Sequence, residues 1–82
     1  MRLAQYVKFR EEKFGGVLFE TRSEKVFTLN PTATAVVREI ANGDEATIVA
    51  RLKDRFADQG DAIGREVSAF LAELRQRGLL EG

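Results

Sequence analysis

At 82 residues the chain has the length of one small domain, which buries only roughly 60–65% of the surface its unfolded form exposes, so two separate cores do not fit. Hydrophobic residues make up 44% and charged residues 32%, with a single Pro, a balance that excludes a disordered chain. The absence of Cys and His, together with 13 basic and 13 acidic residues that cancel, excludes disulfides, zinc sites and imidazole or thiol catalysis and leaves no global field to attract nucleic acid or an anionic membrane.

Three short apolar clusters open the chain: Tyr6-Val7-Lys8-Phe9, Gly16-Val17-Leu18-Phe19 and Val26-Phe27-Thr28-Leu29. Val7 and Phe9 alternate with Lys8 and Arg10, the period of two expected of a strand with one buried face. Gly15-Gly16 and Arg22-Ser23-Glu24 supply the connections, so an antiparallel meander of three strands is expected. At Asn30-Pro31 the character changes, because Asn suits an N-cap and Pro the first helical position. Ala33, Val36, Val37 and Ile40 then recur at helical spacing until Asn42-Gly43, residues able to take a left-handed, helix-ending conformation. Asp44 caps a second helix with Ile48, Val49, Leu52 and Phe56 on its apolar face, broken at Gln59-Gly60. From Asp61 a third helix carries Ile63, Val67, Phe70, Leu71 and Leu74, and Gly78 closes it before a short apolar tail, Leu79-Leu80. The expected fold is α+β: a three-stranded antiparallel sheet followed by three helices, sharing one core over residues 1–82.

Little in this pattern points to chemistry. The acidic neighbours Glu11-Glu12, Asp44-Glu45 and Asp58 with Asp61 lie at turns or helix ends, where solvation or capping accounts for them. Ser23 and Ser68 have no His to activate them. The glycines form no phosphate-cradling loop, and Gly64, inside a helix, costs about 1 kcal/mol relative to Ala. The reading is therefore not an enzyme, with no catalytic residue, metal or cofactor. No apolar run approaches the ~18 residues that span a bilayer. The start, Met1-Arg2-Leu3-Ala4-Gln5-Tyr6, runs into Lys8 and Arg10-Glu11-Glu12-Lys13 rather than the apolar stretch of a signal peptide. A cytoplasmic location is expected. A winged-helix DNA-binding regulator is the competing reading for helices with a small sheet, but Arg65, Arg75 and Arg77 are balanced by Asp61, Glu66 and Glu73 on the same helix.

The stretch from Gly16 to Ala33, with Leu29-Asn30-Pro31-Thr32-Ala33 running from strand into helix, and the ending from Val67 to Leu80, Val-x-x-Phe-Leu-x-x-Leu followed by Gly78-Leu79-Leu80, closely resemble the PqqD-like family. The link Asn42-Gly43-Asp44 is shorter than the family's. The resemblance implies a winged helix-turn-helix-like fold and a non-catalytic peptide chaperone, a recognition element for ribosomally made precursor peptides. Such domains bind the leader segment of the precursor and present the rest to a modifying enzyme, often a radical S-adenosylmethionine enzyme.

Elementary sheet chemistry fits that role. The outer strand of a three-stranded meander leaves a row of N–H and C=O groups unpaired, and an extended peptide can pair there. The expected binding segment is Lys25, Val26, Phe27, Thr28 and Leu29, with Val26 and Thr28 on one face and Phe27 and Leu29 on the other. On the last helix Ile63, Val67, Phe70, Leu71 and Leu74 span an arc wide enough both to fill the core and to line a groove. Arg65 and Arg75 flank it, placed to pair with acidic leader residues. A free edge beside an apolar groove is also compatible with a monomer or a weak homodimer.

Overall fold

The computed structural model describes residues 1–57 and 60–82. Three strands, β2 (Val7–Glu12), β3 (Gly15–Glu20) and β4 (Lys25–Leu29), form an antiparallel sheet in the order β2-β3-β4. The α-helices α1 (Pro31–Glu39), α2 (Glu45–Arg55) and α3 (Ala62–Gln76) follow. The α+β architecture is as the sequence pattern indicates. Two further strands were not evident in that pattern: β1 (Arg2–Leu3) pairs antiparallel with β5 (Leu80–Glu81), so the apolar tail is half of a two-stranded ribbon. Two residues per strand are too few to show alternation.

Register in the sheet is set by burial. Leu18, fully buried, lies opposite Phe9 on one side and Phe27 on the other, whereas Phe19 lies opposite Lys8 and Val26. A slip by one residue would turn Leu18 to solvent. The β2–β3 reversal runs through Lys13-Phe14, since Glu12 already pairs with Gly15; the two glycines therefore open β3 rather than form the turn. Gly15 has φ +145°, and a Cβ there would lie 2.1 Å from the Leu29 carbonyl oxygen. Only glycine lets the strands approach this closely.

The β3–β4 turn is held by the nearly buried Glu20. Its carboxylate accepts from the Arg22 N–H at 2.7 Å, the Ser23 N–H at 3.0 Å and the Ser23 hydroxyl. The Ser23 hydroxyl is the largest influence holding this carboxyl below its ordinary range, helped by the two N–H groups and the Arg22 charge and opposed by desolvation.

Asn30 caps α1, its side chain accepting from the Ala33 N–H at 2.8 Å, with Pro31 in the first helical position. The end of α1 differs from the expectation. Gly43 is extended (φ 173°), and the chain leaves the helix through one 3₁₀ turn, Ile40–Asn42, which buries Ile40. Asp44 caps α2 by accepting from the Thr47 N–H at 2.9 Å, the first cause of its lowered pKa. In α2, Ile48 and Leu52 are buried, but Phe56 is 40% exposed at the C-cap instead of continuing the apolar face, and Ala57 turns left-handed (φ 52°). Asp58 and Gln59, read above as part of an acidic pair and a helix break, lie outside the described residues.

α1 packs on β3, β4, α2 and α3, and α2 packs on α3, so the helices cover one face of the sheet. Leu18, Val36, Ile40, Ile48, Leu52, Val67, Leu71 and Leu79 are fully buried between them. Truncating any of these leucines or isoleucines to Ala is expected to cost about 2–5 kcal/mol.

The C-terminal end of α3 is tied to the sheet. The Leu79 N–H donates to the Leu74 carbonyl at 2.9 Å and the Gly78 N–H to the Arg75 carbonyl at 3.0 Å, the two bonds of a Schellman cap, with Gly78 left-handed (φ 72°). The Tyr6 hydroxyl donates to the Gly78 carbonyl, and the Ala4 N–H donates to the Leu79 carbonyl at 2.9 Å. These bonds tie the end of α3 to the segment that leads into β2.

Candidate functional site

β4 is an edge strand: among the described strands it pairs only with β3. Its other side opens into a groove of about 430 Å³ whose far wall is the C-terminal half of α3. Val26, Phe27, Thr28 and Leu29 form the near wall. Asn30 and Ala33 narrow one end, and Phe70, Glu73, Leu74 and Arg77 form the helical wall. Strand alternation places Phe27 and Leu29 on the core face with Leu18, so a side chain entering between β4 and α3 meets Phe27, Leu29 and Phe70. Leu29 and Leu74 are nearly buried and serve as floor, while Phe27 and Phe70 are half-buried and present surface.

Charge stands at the two ends. The Arg77 Nε donates to Glu73 Oε1 at 3.2 Å, and the Arg77 guanidinium lies over the Phe27 ring, 5.1 Å from its centroid. At the other end a shallower concavity continues the groove along α3, shared at Asn30 and Ala33 and bordered by Glu66 and Ala69. From Glu66 to Arg77 the helix rises roughly 16 Å. Five residues of extended chain span about the same length, and β4 itself has five residues. The site is long, narrow, apolar in the middle and open on a row of backbone groups.

The structure brings only part of the expected set together. Val26, Phe27, Thr28 and Leu29 line the groove with Phe70 and Leu74. Lys25 stands exposed at the start of β4, opposite Glu20. Ile63, Val67 and Leu71 are 8%, 0% and 0% exposed and belong to the core. Arg65 is exposed on the first half of α3, outside the groove lining, and Arg75 turns the other way, its Nη2 lying 3.7 Å from Met1 Sδ. The arc on α3 thus divides: its middle faces the core and one flank faces the groove. Sequence reasoning missed Asn30, Ala33, Glu73 and Arg77. Phe70, Glu73, Leu74 and Arg77 fall at intervals of three and four, so their shared face was legible. The Glu73–Arg77 spacing, however, is that of an ordinary solvated ion pair.

Among the described residues no three His, Cys, Asp or Glu side chains converge as metal ligands, and no helix is long and apolar enough to cross a membrane.

No curated protein matches the sequence. Two solved structures share the fold over nearly the full length of both chains. A lasso peptide synthetase B1, determined in complex with the leader peptide, superposes with a TM-score of 0.82 at 23% identity, covering 99% of this chain and 96% of its own. TbiB1, in complex with the TbiA(beta) leader peptide, gives a TM-score of 0.85 at 19% identity, covering 100% and 96%. The family model for Coenzyme PQQ synthesis protein D (PqqD) matches residues 15–80, from the first residue of β3 to the first of β5, and the chain belongs to that family.

Proposed function

We propose that this chain is a recognition element for a ribosomally made precursor peptide, binding its leader segment as a fourth strand on β4. The whole of residues 1–82 acts as one such domain, without catalysing a reaction itself, and hands the captured peptide to a modifying enzyme of the radical S-adenosylmethionine type in the cytoplasm. The observation that carries this reading is the pairing of the unshared edge of β4 with a helical wall of matching length whose middle, Phe70 and Leu74, is apolar. Main-chain bonds to the edge supply affinity irrespective of sequence, and the space among Phe27, Leu29 and Phe70 selects apolar side chains at alternate positions. The two solved structures of the same fold, each a leader-peptide complex, support the reading. A DNA-binding role gains no such support, since the arginines of α3 do not gather: Arg77 is paired with Glu73 and Arg75 is turned toward Met1.

The test is titration of the isotopically labelled chain with the leader segment of the precursor encoded in its gene neighbourhood. Amide shifts are expected at Lys25–Leu29 and along Phe70–Arg77. Saturating peptide that leaves the β4 amides in place would falsify the assignment.

A further inference from the structure

The central strand is apolar on both faces. Leu18 points into the core, but its neighbours Val17 and Phe19 point away from the helices, and Phe19 is 37% exposed. Across the sheet Phe19 stands in line with Lys8 and with Val26, which is 60% exposed, while Val17 stands in line with Arg10 and Thr28. Lys8, Arg10, Val17, Phe19 and Val26, with Phe9, line a shallow concavity of about 490 Å³ on the face opposite α1. Consecutive apolar residues such as Val17-Leu18-Phe19 are what a strand carries when both of its faces are covered. Only one is covered here.

The border of this patch is asymmetric in charge. On the β2 side stand Lys8 and Arg10; Arg10 is held by Glu12 at 2.5 Å, whereas Lys8 has no carboxylate partner among the described residues. Two strand spacings, roughly 10 Å, separate Lys8 from Val26, and an α-helix with its side chains is about as wide, 10–12 Å. One helix lying along the strands covers the patch and brings its flank to Lys8. A second copy packed through this same patch would instead add the same cations, since no carboxylate lines it.

We infer that the outer face of the sheet docks an amphipathic helix of the peptide-processing partner, with an apolar stripe on Val17, Phe19 and Val26 and an acidic flank against Lys8 and Arg10. Only the identification of the partner as the peptide-processing enzyme rests on the recognition-element reading; the chemistry of the surface does not. Val26 borders both this patch and the peptide groove, so a partner seated here lies beside the bound leader.

The probe is a synthetic 18-residue helical peptide with a Leu stripe flanked by Glu, compared with the same peptide carrying Lys in place of each Glu. In titrations of the labelled full chain, the Glu peptide is expected to shift Lys8, Val17 and Phe19 and to bind about ten-fold tighter than the Lys peptide, a difference that falls with salt. Phe19→Ser is expected to abolish these shifts, and Lys8→Glu to reverse the preference. Equal binding of both peptides, or shifts confined to β4 and α3, overturns the proposal. So does a homodimer, seen by sedimentation, that Phe19→Ser dissociates. Because Phe19 faces away from the groove, Phe19→Ser leaves leader binding intact, and failure of leader binding shows at the β4 amides instead.

Discussion

The guanidinium of Arg77 covers the ring of Phe27, one residue from the end of α3 and the other from the middle of β4, and so bridges the two walls of the groove. Its Nε bond to Glu73 keeps it there. The side chain that forms the mouth of the site is thus anchored at both ends, and its apolar stem adds packing surface for an incoming residue.

Replacing Arg77 with Ala is expected to weaken leader binding by about 0.5–1 kcal/mol, roughly two- to five-fold, because the packing surface of its stem is lost and the Phe27 ring, no longer held by the guanidinium, must be ordered on binding. The fold should be little affected, since Arg77 is a surface residue. Lys at this position is not expected to restore affinity, because an ammonium lacks the planar face that lies on the ring. Calorimetric titration of the two variants against the wild type measures the effect.

Strand addition makes a prediction about the peptide rather than the protein. In an antiparallel or parallel partner strand, alternate N–H groups point at β4 and the others at solvent. A leader peptide N-methylated at one position at a time should therefore lose affinity at every second residue, by about 1 kcal/mol for each bond removed, or roughly five-fold. A uniform loss, or none, would indicate that the peptide is held by side chains alone.

How much of this was legible in the sequence depends on the kind of signal each feature leaves. Asn30-Pro31 and Asp44 announced two helix starts because capping is local chemistry, and Gly78 announced a helix end for the same reason. Residues on the edge strand were identifiable from order and alternation. The division of α3 was not: Val67 and Leu71 are buried while Phe70 and Arg77 face the groove, and all four lie on one continuous arc whose inner and outer parts are distinguished only by where β4 stands. The ribbon of β1 with β5 was equally hidden, since pairing Leu3 with Leu80 spans nearly the whole chain. Arg75 was chosen as a groove residue and Arg77 was not, although two positions on a helix separate opposite faces.

The Glu20 turn sets a pH dependence. In the folded state its carboxyl is lowered by the Ser23 hydroxyl first and by the Arg22 and Ser23 N–H groups next. In the unfolded chain a Glu titrates near ~4.3. A depressed folded pKa means that the unfolded state binds its proton first as acid is added. The turn's contribution is therefore present in full above the unfolded pKa and is lost as pH falls through the folded one. Thermal melts should show a drop in Tm between about pH 4.5 and the acid limit, and Ser23→Ala, which removes the largest cause, should flatten that drop. An identical pH profile in wild type and Ser23→Ala would count against it. Because the turn fixes the start of β4, leader affinity should fall over the same interval.

Thr34 offers a stabilising change. Its residue is 3% exposed, and its hydroxyl oxygen, buried under β3, finds no hydrogen-bond partner among the described residues. A buried unpaired hydroxyl costs about 1–3 kcal/mol. Val has nearly the same shape without the polar atom and nearly the same helix propensity, so Thr34→Val is expected to raise stability by about 1 kcal/mol. Chemical denaturation measures it, the midpoint rising at unchanged slope.

Two glycines should respond to alanine in opposite directions, and the contrast ties the fold to the site. At Gly64 a Cβ would sit 3.8 Å from Val49 Cγ1, an ordinary contact between α3 and α2. Gly64→Ala is therefore expected to stabilise by about 0.5–1 kcal/mol, the helical preference for Ala over Gly, which for a domain of this size raises Tm by several degrees, roughly 2–8 °C. At Gly15 the backbone is left-handed and the Cβ would stand 2.1 Å from the Leu29 carbonyl oxygen, an atom of the chain itself that no rotamer change can move aside. Gly15→Ala must displace the end of β4, at a cost of about 1–3 kcal/mol. That displacement occurs where β4 meets Asn30 and the groove narrows, so the variant should lose leader affinity beyond what its fraction folded accounts for. Measuring affinity at a temperature where Gly15→Ala remains folded separates the two effects. Unaltered binding there would show that the position of Leu29 does not matter to the peptide, and that the Asn30 end of the groove lies outside the site.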